Sequence, residues 1–161
     1  MSTQLVAAQA DLDFLHSDSV QLTALMTPLQ AYCAMTSDIP GWLARAFRIR
    51  DFISRRFNVA DIHGFTRRDP GQVPAVGERL DFFAVEAISD QRLVLTSRDT
   101  HLAVMVCMGV SAEECGLLQL SVTTSVKCFN TFGRLYMVPV GRVHGVIVRR
   151  MLANLQGHRF E

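Results

Sequence analysis

No Cys-x-x-Cys pair occurs among Cys33, Cys107, Cys115 and Cys128, and none stands at zinc-ligand spacing from the five histidines. That excludes the common structural zinc and dithiol redox motifs. No glycine-rich phosphate loop is present either, since Gly64, Gly71 and Gly77 follow no strand-to-helix fingerprint. No apolar run approaches the roughly 20 residues that a membrane-spanning helix needs. Excess charge is also missing: 16 basic against 15 acidic residues leave a formal +1. So weak an overall field argues against a nucleic-acid partner and against attraction to an anionic membrane. The short basic clusters at Arg45 to Arg50, Arg55–Arg56, Arg67–Arg68 and Arg149–Arg150 read as solvated faces. No cysteine lies in a basic, exposed setting that would activate a thiolate.

Apolar residues are what the chain does have. They make up 49% of its 161 residues against 19% charged, a balance that builds a core. The length suits a single domain over 1–161, and such a domain buries roughly 70% of its extended-chain surface. Met1 to Ala10 has neither the basic flank nor the apolar centre of a secretory signal, and is expected to be loosely ordered. Free, buried cysteines and a cytoplasmic location are the matching expectations.

The periodicity predicts an α+β order. Asp11 to Leu22 partly alternates, as a first strand does. Thr23 to Met35 then carries Leu25, Met26, Leu29, Tyr32 and Cys33 at helical steps, with Pro28 acceptable only in a first turn. Ser37 and Asp38 offer capping oxygens to a second helix with Trp42, Leu43, Ala46, Phe47, Ile49, Ile53 and Phe57 largely on one face. Trp42 reads as a core anchor. Asn58 to Gly77 is a connecting loop. Strands follow at Leu80 to Ile88, Arg92 to Ser97, His101 to Val110 and Leu118 to Val126, joined by turns short enough to require antiparallel pairing. A long helix, capped by Asn130 or Thr131 and stopped by Gly157, presents Phe132, Leu135, Tyr136, Val140, Val143, Ile147, Met151 and Leu155 as one stripe. A curved antiparallel sheet with two short helices and a long C-terminal helix is the helix-grip layout of START-like (SRPBCC, Bet v 1-like) domains. That layout leaves a cavity between sheet and helix.

Three stretches carry a resemblance. They are Ile39 to Asp51 (IPGWLARAFRIRD), Asp99 to Leu102 (DTHL), and Asn130 to Tyr136 (NTFGRLY) with His144 and Ile147 to Leu152 (IVRRML) behind it. In this order they resemble a bacterial family, domain of unknown function 2867, from about Asp38 to Leu155. Phe129, Ala103 and Arg142-Val143 depart from the family's usual histidine, acidic residue and proline-phenylalanine. The resemblance implies the fold and assigns no chemistry.

Asp99 and His101 stand two apart at a strand entrance and therefore share a face. The pair suits acid–base work or a ligand's polar end; equally, the aspartate caps the turn and the histidine packs. Arg134 could clamp an anionic group, or pair with a carboxylate such as Asp99 and lock helix to sheet. His144, between Gly141 and Gly145, reads as a hydrogen-bonded packing histidine. Met105, among seven methionines, would supply adaptable apolar lining. The expectation is a binding domain for a small hydrophobic or amphipathic molecule or lipid, with Asp99, His101, Arg134, Tyr136 and Met105 around it. No catalytic residue, cofactor or metal is assigned. The alternatives are an enzyme of cyclase, dehydratase or hydrolase type using His101, and an accessory interaction domain, with a homodimer left open.

Overall fold

The structure, a computed structural model, describes residues 3–56, 64–113 and 116–157. The expected loop from Asn58 lies outside the described residues up to residue 63, as do Phe57 and Cys115. Strand β1 (Phe14–Leu22) is followed by helices α1 (Pro28–Ser37) and α2 (Gly41–Arg56), then by strands β2 (Arg79–Leu80), β3 (Phe83–Ile88), β4 (Arg92–Arg98), β5 (Leu102–Ala112) and β6 (Leu118–Cys128), and last by helix α3 (Thr131–Gly157). The six strands form one curved antiparallel sheet in the order β1-β6-β5-β4-β3-β2. Consecutive strands from β2 to β6 make the expected meander. β1 then adds on the far side of β6, pairing Phe14 with Val126 and Leu22 with Leu118. The run expected from Leu80 to Ile88 divides at Asp81, whose φ of 56° turns β2 into β3.

α1 starts where its proline allows. Pro28 occupies the first turn, where its missing N–H costs nothing, and the Thr27 hydroxyl accepts from Gln30 N–H while the Gln30 side chain accepts from Thr27 N–H. Eight of the ten α1 residues are buried, so this helix is a core element lying against β4 and β5. Leu29, Tyr32 and Met35 meet Leu93 and Leu95 of β4, Met108 of β5 and Leu120 of β6 in one apolar cluster. Each such side chain, fully buried, contributes about 2 kcal/mol. Only the last part of α3 enters this cluster, through Val148, Leu152 and Leu155. The inner face of the sheet, where a ligand chamber was expected, is thus packed with α1 side chains.

β5 serves both faces, as its continuous apolar run requires. Val104, Val106, Met108 and Val110 point inward, whereas Met105 and Cys107 join Val94, Ala87 and Val6 in a second cluster on the outer face. The N-terminal segment supplies Val6, whose N–H donates to Ser125 Oγ at 3.0 Å. Beside it, Thr3, Arg92, Cys107, Gly109, Ser121 and Thr123 line a shallow cavity of about 120 Å³.

α3 sits on β1 and α1, rotated from the expected orientation. Leu135 and Val143, expected to face the sheet, are exposed. Their places are taken by small residues: a Cβ on Gly141 would come within 3.2 Å of the Phe14 ring, and one on Gly145 within 3.1 Å of His16 Nε2. Glycines on the inward side let the helix lie close against β1. Leu135, Val138, Val143 and Val146 along this stretch are left facing away, whereas Val148, Leu152 and Leu155 beyond it turn into the core.

Candidate functional site

Asp99 and His101 stand where β5 begins, and Arg134 and Tyr136 on the first turns of α3. Asp99 Oδ1 accepts from the N–H groups of His101, at 2.7 Å, and Leu102, at 2.9 Å. Its carboxylate therefore closes the turn into β5 and leaves the imidazole unoriented by it. His101 Nδ1 instead meets the Asn130 side-chain amide, with Nδ2 at 2.9 Å. Asn130 is also the helix cap, Oδ1 accepting from Gly133 N–H at 3.0 Å. The imidazole packs at a tilt against Phe132 with ring centroids 4.6 Å apart, and its Nε2 is buried with no protein partner.

Arg134 does not reach Asp99. Its Nε lies 3.4 Å from Asp13 Oδ1, the residue just ahead of β1. Asp13 Oδ2 in turn accepts from Cys128 N–H at 2.7 Å, so one carboxylate joins β1, β6 and α3. Tyr136 follows on the first turns of α3, partly exposed. Met105 stands apart from the other four, on the outer face of the sheet.

Further along the same seam lies a group that sequence reasoning did not assemble. His16 of β1 and His144 of α3 meet edge to face with centroids 5.4 Å apart, and Phe14 packs edge-on against His144 at 5.3 Å. The Nδ1 atoms of both histidines are buried without a protein partner, so His144 packs as expected but lacks the hydrogen bond expected of it. Burial, and secondarily the neighbouring His16, pulls the His144 pKa down from 6.5 to about 4. A second ion pair, Arg149 Nε to Asp18 Oδ2 at 3.2 Å, closes the seam. Phe14, His16 and Asp18 alternate along β1, which was the available signal; which helix would cover them was not written in that strand.

Asp81 forms another unforeseen contact. Tyr32 O–H donates to its Oδ2 at 2.7 Å, and Thr66 N–H to its Oδ1 at 3.0 Å. Burial first, then Asp81, pushes the Tyr32 phenol far above its usual range, so it stays protonated. Burial likewise raises the Cys33 and Cys128 thiols. Cys33, Cys107 and Cys128 are free and buried, which suits structural rather than nucleophilic cysteines. Among the described residues no group of three His, Cys, Asp or Glu side chains could hold a metal ion. No helix there is long and apolar enough to cross a membrane.

The outward faces of α2 and α3 carry the remaining chemistry. Trp42, expected in the core, is 49% exposed, and Phe52, ten residues on, is 78% exposed. Arg45 and Arg48 are exposed between them. On α3, Leu135 and Val146 are 69% and 61% exposed, and Val138 and Val143 accompany them. The two helices together hold nine of the sixteen basic residues of the chain, and Asp51 is their one acidic residue. The near-zero net charge averages over this asymmetry.

Solved structures are similar to this chain only distantly. Protein MLL2253 from Mesorhizobium loti is 13% identical with a TM-score of 0.44, covering 90% of this chain and 100% of its own. Hypothetical protein jhp0584 from Helicobacter pylori is 14% identical with a TM-score of 0.46, covering 96% and 97%. No curated protein matches. The family model for proteins of unknown function named DUF2867 matches residues 8–151, the span that holds β1, the sheet and most of α3, and the chain belongs to that family.

Proposed function

We propose that this domain is a binding module that works through the outward face of its helices and performs no chemistry of its own. The observation that carries the reading is the open apolar stripe of α3, with Leu135 69% and Val146 61% exposed. Large apolar side chains grouped on one helix face hold free energy that only a partner recovers, at about 25 cal/mol for each Å² covered. The groups best suited to chemistry are meanwhile engaged in holding the fold: Asp99 on backbone N–H groups, Arg134 on Asp13 and His101 Nδ1 on Asn130. Retention of the full chain on a phenyl matrix tests the reading. Leu135→Ser with Val146→Ser should abolish retention and leave the urea midpoint in place; unaltered retention removes the reading.

A second reading keeps a START-like helix-grip chamber. In it a small hydrophobic or amphipathic molecule lies under α3, its polar end held by Asp99, His101, Arg134 and Tyr136. The buried, unpartnered His101 Nε2 beside Phe132 supports it, because a buried polar atom favours a hydrogen-bonding partner. Met105, on the outer face, has no part in that chamber. A native-mass and thermal-shift screen with fatty acids and aromatic metabolites tests it: the chamber predicts a bound species lost in His101→Ala. Turnover abolished by the same substitution, in a folded variant, would instead favour an enzyme.

A further inference from the structure

We infer that the outward face of α2, whose chemistry α3 repeats, seats this domain on an anionic lipid bilayer. The inference rests on the reading of the helical face as a binding surface and names its partner. α2 turns Leu43 and Asp51 inward, both buried, and with them Phe47, which reaches the core through Phe65 at 5.6 Å. The opposite side shows Trp42, Arg45, Arg48 and Phe52 to solvent. Two exposed aromatic rings interleaved with guanidinium groups make an interfacial helix: the rings enter the boundary of the acyl chains and the arginines sit among the phosphates. α3 repeats the chemistry, with exposed Arg142 and Arg150 beside Leu135 and Val146. Asn154 Nδ2, donating to Asp38 O at 3.3 Å, joins the end of α3 to the approach to α2.

Charge decides between occupants. A second copy would bring arginines against arginines, because Asp51, the lone carboxylate of the two helices, is turned inward and buried. A nucleic acid would use the arginines and leave the valine and leucine stripe in water. An anionic bilayer takes both at once, and since no described helix can span it, the contact is a surface one.

Trp42 is the one tryptophan in the sequence, so its emission reports the proposed contact directly. The full chain is titrated with vesicles of phosphatidylcholine alone and of phosphatidylcholine mixed with phosphatidylglycerol, and its sedimentation with each is measured. Expected are a blue shift and co-sedimentation with the mixed vesicles only, weakened by salt. Arg45→Glu with Arg48→Glu should weaken binding by more than about tenfold at an unchanged urea midpoint. Unshifted emission with the chain left in the supernatant overturns the inference, as does equal binding to both vesicle types or to the charge-reversed variant. A chain that ignores vesicles yet is held by the phenyl matrix, or dimerises in light scattering, overturns the lipid partner alone. Failure on vesicles and matrix together removes the surface reading as well.

Discussion

His16 and His144 face each other across the seam between β1 and α3, centroids 5.4 Å apart, each with a buried Nδ1 that no protein group meets. Around them stand Phe14, Gly141 and Gly145, none of which carries a charge. His144 titrates near 4 in the folded chain against 6.5 in the unfolded one. The unfolded state therefore binds more protons between these values, and stability must fall as pH drops from about 6.5 to about 4. Above that window the contribution is whole; below it the loss is complete, at up to about 3 kcal/mol. Urea midpoints at pH 7 and pH 4.5 should separate more for the native chain than for His144→Gln, whose side chain does not titrate. Equal separations would exclude His144 as the cause.

The junction of β5 and α3 should be intolerant of a single methyl group. A Cβ on Gly133 would collide with the His101 carbonyl oxygen and sit 3.1 Å from its carbon, both backbone atoms that cannot rotate away. The His101 carbonyl is also fixed by accepting from Phe129 N–H at 2.7 Å. Gly133→Ala is expected to cost about 3 kcal/mol, as overpacking against rigid structure does. Gly41→Ala, where a Cβ meets nothing within 4 Å, should be close to neutral in the same urea titration.

Much of this fold was legible because its signals are local. The alternation of Leu118 to Val126, the apolar run of β5 and the first-turn placement of Pro28 each depend on neighbours within a few residues, and the structure keeps them. The face that α3 buries was legible only towards its end, where Met151 and Leu155 of the expected stripe meet the core. Earlier in the helix that stripe included Leu135 and Val143, whereas the helix docks there through Gly141, His144 and Gly145, because β1 offers the Phe14 and His16 rings. Close approach selects small residues, and a hydrophobicity pattern counts them as little. The partner of Arg134 was hidden for a related reason. Asp13 lies 121 residues away and arrives only because β1 pairs with β6.

That ion pair should be far weaker from one side than from the other. Arg134 has a side chain 65% exposed, so Arg134→Met is expected to cost less than about 1 kcal/mol. Asp13 also accepts from the N–H of buried Cys128, so Asp13→Ala leaves a backbone donor without its acceptor and should cost about 2 kcal/mol. Thermal unfolding of the two variants in parallel checks the order. If Arg134→Met proved the more damaging, the carboxylate would not be the structural half of the pair.

The turn between β2 and β3 joins two demands in one residue, and they can be separated. Asp81 holds a φ of 56°, a conformation that costs an ordinary side chain about 1 kcal/mol and glycine almost nothing. It also accepts from the Tyr32 hydroxyl and from Thr66 N–H. Asp81→Ala loses both bonds and keeps the backbone demand, for an expected loss of about 3 kcal/mol. Asp81→Gly loses the bonds but relaxes the backbone, and should recover about 1 kcal/mol of that. Asp81→Asn keeps an acceptor and tolerates the dihedral, so it should lie nearest the native chain. Tyr32→Phe removes one of the two bonds and should cost about 1 kcal/mol. Urea midpoints should therefore rank native, Asn, Gly and Ala in falling order. An alanine variant as stable as the glycine variant would mean that the turn relaxes out of the left-handed region, and that the hydrogen bonds alone hold α1 to this edge of the sheet.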